Sequence, residues 1–225
     1  MFTLTPKHPS LRTPFATLAF PLLLALSSVT AVYAAPMATP AAAEANSHQW
    51  KLDKSHSTVG FEVDHLVIAT VTGRFDEFEG TFHYDPASKM VENLNLKIQA
   101  ASANTNDAKR DAHLKSEDFF DAKKFPVITF KNPKLGFKGE KPVSLEGILS
   151  MRGVDKPIEL KVDYKGMVKD PGGNNRMVFN MEGMIKRKDF GINWNRALDA
   201  GGFMVGEDVK LLIKVEAIEE KLAKK

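Results

Sequence analysis

The sequence predicts an all-β fold, an extended antiparallel β-barrel of about eight strands, on three observations. Apolar and polar residues alternate through most segments after Trp50, for example at Val59, Phe61 and Val63. Successive side chains of a strand point to opposite faces, so each segment has one apolar and one polar face. Turn residues separate the segments, and no long helical pattern lies between them, which is typical of an antiparallel meander. Such a sheet either curls into a barrel or stacks as two sheets.

The strand segments follow one another through short connections. The strongest turn, residues 169–175, contains one Pro and two Gly and joins two alternating runs as a long hairpin. Alternating runs of this length predict strands. The predicted strands are residues 50–53, 58–64, 67–75, 78–84, 91–100, 127–132, 143–151, 158–168, 177–185 and 203–218.

One segment breaks the alternation. Asp107 can cap a helix that begins at Ala108 and ends at Lys115, and Pro126 ends the segment that follows. This segment has too little apolar surface to form a layer of the core, but enough to cover the opening of a barrel. The sequence therefore predicts one short helical segment at the barrel mouth.

The ends of the chain differ from the alternating part. Residues 1–34 have a basic start at Lys7 and Arg12, a short apolar run, and small residues before a cleavage point after Ala34, as a secretory signal peptide does. The alternative is a membrane anchor, but the apolar run is shorter than the ~20 residues of a spanning helix. Residues 35–47 are an Ala/Pro-rich leader, residues 48–221 the predicted domain, and residues 222–225 a charged tail.

Composition excludes several function classes. The chain has no Cys, which excludes thiol catalysis and thiolate metal sites. It has 31 Lys and Arg against 28 Asp and Glu, and removal of the signal segment with Lys7 and Arg12 leaves 29 against 28. The charges are interleaved along the strands, and we expect no nucleic-acid partner.

If the sheet closes, its inner face forms an apolar tunnel. Small closed barrels can hold one ligand, and strands of eight to ten residues at ~3.3 Å per residue make a tunnel about 30 Å long. The alternative is a filled core, in which the same side chains touch one another and leave no space. The predicted tunnel residues, including three from the helical segment, are Phe61, Val63, Phe78, Phe82, Leu94, Leu96, Ile98, Leu114, Phe119, Phe120, Leu145, Leu149, Leu160, Val162, Phe179 and Met181.

Four separated stretches of this sequence together resemble the YceI-like family. They lie in the same order as the family's motifs and span nearly all of the predicted domain. The stretches are residues 52–80 (with Gly60, His65 and Gly73), 106–126 (with Arg110 and His113), 147–157 and 187–192.

The resemblance implies a lipocalin-like barrel that is exported to the periplasm. It also implies a polyisoprenoid or a similar long-chain amphiphile inside the barrel, such as a prenyl quinone or a prenyl phosphate. No enzymatic activity is established for the family as a class, so we expect no catalytic residue and no cofactor. Stable membrane insertion is not expected, whereas homodimers are frequent in the family.

Several polar side chains are candidates for binding the polar head of such a ligand: Arg110, Asp111, His113, His56 and His65. The alternative for Arg110 is an ion pair with Asp107, Asp111 or Asp118 that fixes the helical segment to the barrel. A pair of Arg187 and Asp189 is expected to have a structural role. No His-x-His or His-Glu-x-x-His motif is present, so no metal site is predicted.

Two other functions remain open from the sequence. A hydrolase or isomerase acting on a hydrophobic substrate would need titratable groups that converge in the cavity. A protein-binding role would need large exposed apolar patches. The leading hypothesis is a periplasmic carrier that holds an isoprenoid lipid or quinone.

Overall fold

The computed structural model describes residues 48–199 and 201–220. The predicted signal segment at residues 1–34, the leader at 35–47 and the tail at 222–225 lie outside these residues. Within the described ranges, no helix has both the length and the apolar character needed to cross a membrane.

Eleven strands and one α-helix make up the described chain. Helix α1 is Ala108–Lys115, and short 3-10 segments lie at Lys54–His56, Ala100–Ser102 and Arg187–Phe190. The strands are β1 His48–Leu52, β2 Thr58–His65, β3 Ala69–Phe75, β4 Phe78–Asp85, β5 Met90–Gln99, β6 Ala103–Asn104, β7 Val127–Lys138, β8 Lys141–Met151, β9 Val154–Lys169, β10 Asn175–Lys186 and β11 Val205–Glu219.

The sheet closes on itself, which confirms the predicted antiparallel barrel and rules out two stacked sheets. Eight strands form the ring in the order β1-β4-β5-β7-β8-β9-β10-β11, and β1 pairs back onto β11. Each pairing in the ring is antiparallel. Strands β2, β3 and β6 extend the wall beside β11 at one end.

Strands β1 and β2 act as one long strand with a break. The Asp53 side chain accepts a hydrogen bond from the Ser55 backbone N–H and caps the 3-10 turn between them. Strand β11 pairs with β1 through Ala217 to Glu219 and with β2 through Val205 to Lys214. The break therefore lets two short strands cover most of this edge of β11, with an irregularity between Val205 and Val209.

The connections between strands define two ends of the barrel. We call the turn end the one formed by the turns at residues 86–89, 139–140 and 170–174, and the helix end the one that carries α1 and Arg187–Phe190. Strand β7 ends at Lys138, six residues beyond the predicted end. The strand continues because a β-bulge between Lys131 and Lys134 accommodates Asn132, whose φ is positive.

The helix end is a packed core. Helix α1 buries none of its own residues, but Phe119, which follows it, is buried together with Phe190 and Ile192. The Phe120 ring meets the edge of Phe75 at 5.5 Å between centroids. The helical segment thus sits at one end of the barrel and fills that end with aromatic side chains.

Two glycines make room for aromatic rings inside the barrel. A Cβ at Gly73 would lie 2.3 Å from the Phe61 ring, and one at Gly147 would lie 2.2 Å from the Phe130 ring. Each ring therefore lies flat over a neighbouring strand where no side chain opposes it.

Candidate ligand-binding cavity

An apolar cavity runs inside the barrel. Its volume is about 250 Å³, and thirty-two residues line it, from all eight ring strands, from β2 and β3, and from the turn at Glu140. On β8 the lining extends from Pro142 to Met151, which corresponds to about 30 Å along the strand. A small volume spread over this length gives a narrow cavity that suits a thin chain better than a compact molecule.

The alternation places most of the predicted tunnel residues in the lining. Side chains two apart on a strand share a face, so the inward set follows from the sequence once one member is assigned. The predicted residues that line the cavity are Phe61, Phe82, Leu94, Leu96, Ile98, Leu145, Leu149, Leu160, Val162, Phe179 and Met181.

Five predicted tunnel residues do not line this cavity: Val63, Phe78, Leu114, Phe119 and Phe120. Phe78 and Phe119 are buried in the packed core of the helix end, and Leu114 and Phe120 pack against it. Val63 pairs with Val71 and Val209 near the end of β2. The four residues other than Val63 therefore fill the helix end of the barrel, where the cavity stops.

The lining also includes residues that the prediction omitted. Three of them lie in the alternating runs of β10 and β11: Met177, Ile213 and Val215. Two more lie in the alternating runs of β4 and β9: Tyr84 and Tyr164. Strand parity could have identified all five. The two tyrosines are the residues whose omission matters, since they bring hydroxyl groups to an apolar wall.

The polar residues predicted on α1 bind within the protein. Arg110 donates from Nε to the Thr105 hydroxyl at 2.8 Å and from Nη2 to the Thr105 carbonyl at 2.9 Å. The Asp111 carboxylate accepts from the backbone N–H and the hydroxyl of Thr105 at 2.7 and 2.6 Å. Arg110 therefore fixes α1 to Thr105, the residue that follows β6, and not through an ion pair with Asp107, Asp111 or Asp118 as the alternative had it.

The three predicted histidines lie apart from one another and from the cavity lining. His113 contacts the Asp118 carboxylate at 2.8 Å, and its ring packs edge-on against Phe119 and Trp194. His56 is exposed in the break between β1 and β2, where its hydrogen bond with Asp53 raises its pKa. His65 ends β2 and pairs with Ala69 and Val205. The predicted head-group residues do not form one site in this structure.

Arg187 is buried at the helix end. Its guanidinium donates to the backbone carbonyls of Gly206, Ile192 and Trp194 at 2.7 to 2.8 Å, and to that of Val205 at 3.3 Å. Burial lowers its pKa. Arg187 thus has the structural role expected for it, with backbone carbonyls in place of the predicted Asp189.

A cluster of charged groups lies at the break between β1 and β2. Arg176 donates to Asp53 at 2.8 Å, to Asp170 at 2.7 Å and to Glu216. Oxygen and nitrogen atoms of Asp53, His56 and Glu216 lie within 4.8 Å of one another, close enough to hold a metal ion. The Arg176 guanidinium already supplies the positive charge between these two carboxylates, so the cluster is satisfied without a metal.

The cavity approaches solvent at the turn end. Its lining there includes Glu140, which is exposed, and Met167, which is 51 % exposed. Glu140 is the single charged side chain among the described residues of the lining, and Lys89 binds it at 2.9 Å. Tyr84 and Tyr164 contribute the two hydroxyl groups of this lining.

This geometry defines a class of protein. A closed eight-stranded antiparallel barrel around one long apolar cavity is the architecture of lipocalin-like barrels. Within this class the chain belongs to the YceI-like domain family, whose domain matches residues 50–217.

Relatives and solved structures agree with this assignment. Protein YceI of Salmonella newport (strain SL254) is 35% identical over 175 residues, which cover 77% of this chain and 88% of that protein. The crystal structure of the Campylobacter jejuni YceI protein has a TM-score of 0.58 at 36% identity and covers 76% of this chain and 97% of that one.

A more distant similarity concerns the fold alone. A polyisoprenoid binding domain from Saccharophagus degradans, implicated in plant cell wall breakdown, has a TM-score of 0.55 at 16% identity. The match covers 76% of this chain and 98% of that domain. The barrel therefore persists where little of the sequence is shared.

Proposed function

We propose that this protein is a periplasmic carrier that holds the hydrocarbon chain of an isoprenoid lipid inside its barrel. The observation that carries the proposal is the continuous apolar lining of a closed, narrow cavity about 30 Å long along β8. The family resemblance and the polyisoprenoid binding of the Saccharophagus degradans domain support the choice of an isoprenoid. The predicted signal segment supports export.

Burial of the chain supplies enough free energy for useful binding. Each methylene moved from water into the cavity contributes ~0.8 kcal/mol. About ten such groups give ~8 kcal/mol, which corresponds to a micromolar complex before the cost of ordering the ligand. A longer isoprenoid chain offsets that cost, so affinity does not require a charged contact.

A hydrolase or isomerase has less support from the geometry. Such an enzyme needs a nucleophile or acid beside a base, aimed at one reacting atom. Glu140, Tyr84 and Tyr164 are the ionisable side chains in the described part of the lining. Glu140 is bound by Lys89, and no hydrogen bond joins it to either tyrosine as a base would be joined to a nucleophile. We therefore assign the cavity to binding.

A protein-binding role has one observation in its favour. The β2–β3 turn exposes Val67 and Ile68, which are 65 % and 93 % exposed, and the loop before β11 exposes Phe203. These side chains are the surface that a homodimer or another partner would cover. The group is small compared with a stable interface, and we place it second to the cavity.

Native mass spectrometry of the purified protein tests the carrier function. The protein should retain a lipophilic adduct, or bind one molecule of an added prenyl quinone or polyprenyl hydrocarbon after delipidation with organic solvent. The matched control is the variant Met181→Trp, which places an indole in the cavity and should bind at least tenfold more weakly. A folded protein that takes up none of these lipids contradicts the proposal.

A further inference from the structure

The polar groups of the cavity lie at its turn end. Tyr84 is one residue from the end of β4, and Tyr164 is five residues from the end of β9. Strands β4 and β9 are four positions apart in the eight-stranded ring, so they form opposite walls. Both rings also belong to the apolar cluster around Trp50 and Met177. The two phenols therefore face the same stretch of cavity from opposite sides.

The hydroxyl groups of this pair meet no acceptor in the part of the chain that the structure describes. In the described chain, no hydrogen bond contributes to the surroundings of the Tyr84 or the Tyr164 hydroxyl, and the Tyr164 ring packs against Phe179 at 5.1 Å between centroids. Burial, and for Tyr84 also the nearby Tyr164, raises the pKa of both groups. They remain protonated donors at neutral pH.

A third donor in the same cluster is also unsatisfied. Trp50 is 3 % exposed, and its indole Nε1–H meets no acceptor among residues 48–199 and 201–220. Trp50 shares the inward face of β1 with Leu52, which lines the cavity, and it stacks with Phe82. Buried donors are normally paired, so this cluster has an excess of donors and lacks an acceptor.

The charge of the lining disfavours an anionic partner for these donors. The lining in the described ranges contains no Lys, Arg or His, and its one charged group is the carboxylate of Glu140. Lys89 already binds this carboxylate at 2.9 Å, so a phosphate beside Glu140 would lose its hydration while it competes with the carboxylate for that lysine. The two phenol donors of this apolar wall suit an uncharged oxygen acceptor, such as a carbonyl group.

We propose that the turn end of the cavity is the head-group site, where Tyr84 and Tyr164 donate hydrogen bonds to a neutral carbonyl oxygen of the ligand, and that the preferred ligand is a prenylated quinone and not a prenyl phosphate. This inference rests on the proposed carrier function. It places the head group at the opposite end of the barrel from Arg110 and His113. The isoprenoid chain then extends from the turn end towards Met151 and Ile185 at the packed helix end.

Three probes of matched chain length separate the parts of this inference. A prenylated benzoquinone, the corresponding polyprenyl phosphate and the corresponding polyprenyl hydrocarbon are titrated into the delipidated protein and followed by tryptophan fluorescence and native mass spectrometry. The quinone should bind about tenfold more tightly than either of the other two, which corresponds to two ordinary hydrogen bonds.

The double variant Tyr84→Phe/Tyr164→Phe removes both hydroxyls and keeps the rings. It should lose the tenfold preference for the quinone and bind the hydrocarbon as the unchanged protein does, which also shows that it is folded. The control Thr81→Val removes a hydroxyl from the outer face of β4, where Thr81 pairs with Lys51 and Asn95, and should keep the preference.

Two results overturn the head-group site. One is a phosphate that binds the unchanged protein as tightly as the quinone does. The other is a double variant that still prefers the quinone tenfold. If neither hydrocarbon nor quinone binds the unchanged protein, the carrier function itself fails, and this result is distinct from a failure of the head-group site alone.

Discussion

The helix end and the turn end of the barrel are built from the same eight strands but contain different things. At the helix end Phe119 and Phe190 come from segments outside the strands and fill the interior with Phe61 and Phe75. At the turn end the inward side chains come from the strands alone, and the cavity continues to the exposed Met167. Strand alternation therefore decides which side chains point inward, whereas the connecting segments decide whether the interior is filled.

The polar groups show the same contrast. At the helix end Arg187 and Arg110 donate to carbonyl and hydroxyl oxygens of the protein. At the turn end Tyr84, Tyr164 and Trp50 carry donors without an acceptor in the described residues. At the helix end the Nε of Arg152 is the buried side-chain donor without a partner in the described residues, and at the turn end it is the Nε1 of Trp50; the turn end differs in that its unpaired tyrosine hydroxyls line the cavity.

The largest effect is expected from emptying the helix end. Phe190 is 1 % exposed, and truncation of a buried Phe costs about 3–5 kcal/mol through lost burial and the cavity left behind. The variant Phe190→Ala should lower the free energy of unfolding by this amount in urea denaturation.

Truncation of an exposed side chain is the matched control, because it removes side-chain atoms without emptying the core. Met184 lies on β10 and is 61 % exposed, so Met184→Ala should change the free energy of unfolding by less than about 0.5 kcal/mol. Equal losses in the two variants would contradict a packed core at the helix end.

A larger side chain should destabilise the packed helix end more than the hollow part of the barrel. Ala100 is fully buried at the helix end, and Ala100→Leu should cost about 1–3 kcal/mol because the core there cannot accept three more carbons. Met181 is half-buried and lines the cavity, so Met181→Trp should cost less stability while it weakens lipid binding at least tenfold.

Thermal unfolding and lipid titration of both variants measure this difference. The prediction fails if Ala100→Leu is tolerated as well as Met181→Trp, since the helix end would then contain space. It also fails if Met181→Trp binds lipid with unchanged affinity, because the indole would then lie outside the path of the ligand.

The sequence predicts the features of the molecule that follow from the two-residue alternation of apolar and polar side chains. Inward positions such as Leu160, Val162 and Phe179 follow from alternation alone, and the barrel follows from many such strands. Whether the interior is filled depends on contacts between residues far apart in sequence, such as Phe119 and Trp194, whose ring centroids are 5.4 Å apart. No local pattern encodes such contacts, so the helical segment was expected to provide ligand contacts and instead fills the core.

The polar site was hard to predict for a related reason. The sequence places two polar residues, Arg110 and His113, on the short helical segment and so predicts that they bind the head group. Their partners, Thr105 and Asp118, lie within five residues in sequence, and local pairs of this kind satisfy most exposed charges. Tyr84 and Tyr164 are 80 residues apart and meet only when the ring closes.

A smaller effect is expected from acid. Hydrogen bonds from Arg176 and Asn174 lower the pKa of Asp170 to about 2, and hydrogen bonds from Ser55, His56 and Arg176 together outweigh burial and hold the pKa of Asp53 well below its ordinary value. These groups bind protons more readily when unfolded, so their contribution is present above about pH 4 and is lost as pH falls towards 2.

The variant Arg176→Met isolates this contribution. Its free energy of unfolding should be lower than that of the unchanged protein at pH 7, where three carboxylates lose their cation, and the two should converge as pH falls from 5 to 2. Urea denaturation across this range measures the difference. A difference that stays constant with pH would show that the cluster at the β1–β2 break contributes no proton-linked stability.

The smallest effect on binding is expected from Arg110→Gln. Arg110 does not line the cavity, and its guanidinium donates to Thr105 at the helix end. The substitution should therefore change the affinity for a prenylated quinone by less than about twofold, or ~0.4 kcal/mol, while it lowers thermal stability by removing the hydrogen bonds from α1 to Thr105. Fluorescence titration with the quinone measures the first quantity. A loss of tenfold or more would mean that the ligand head reaches the helix end, because only a direct contact with the guanidinium could have that effect while the cavity lining is unchanged.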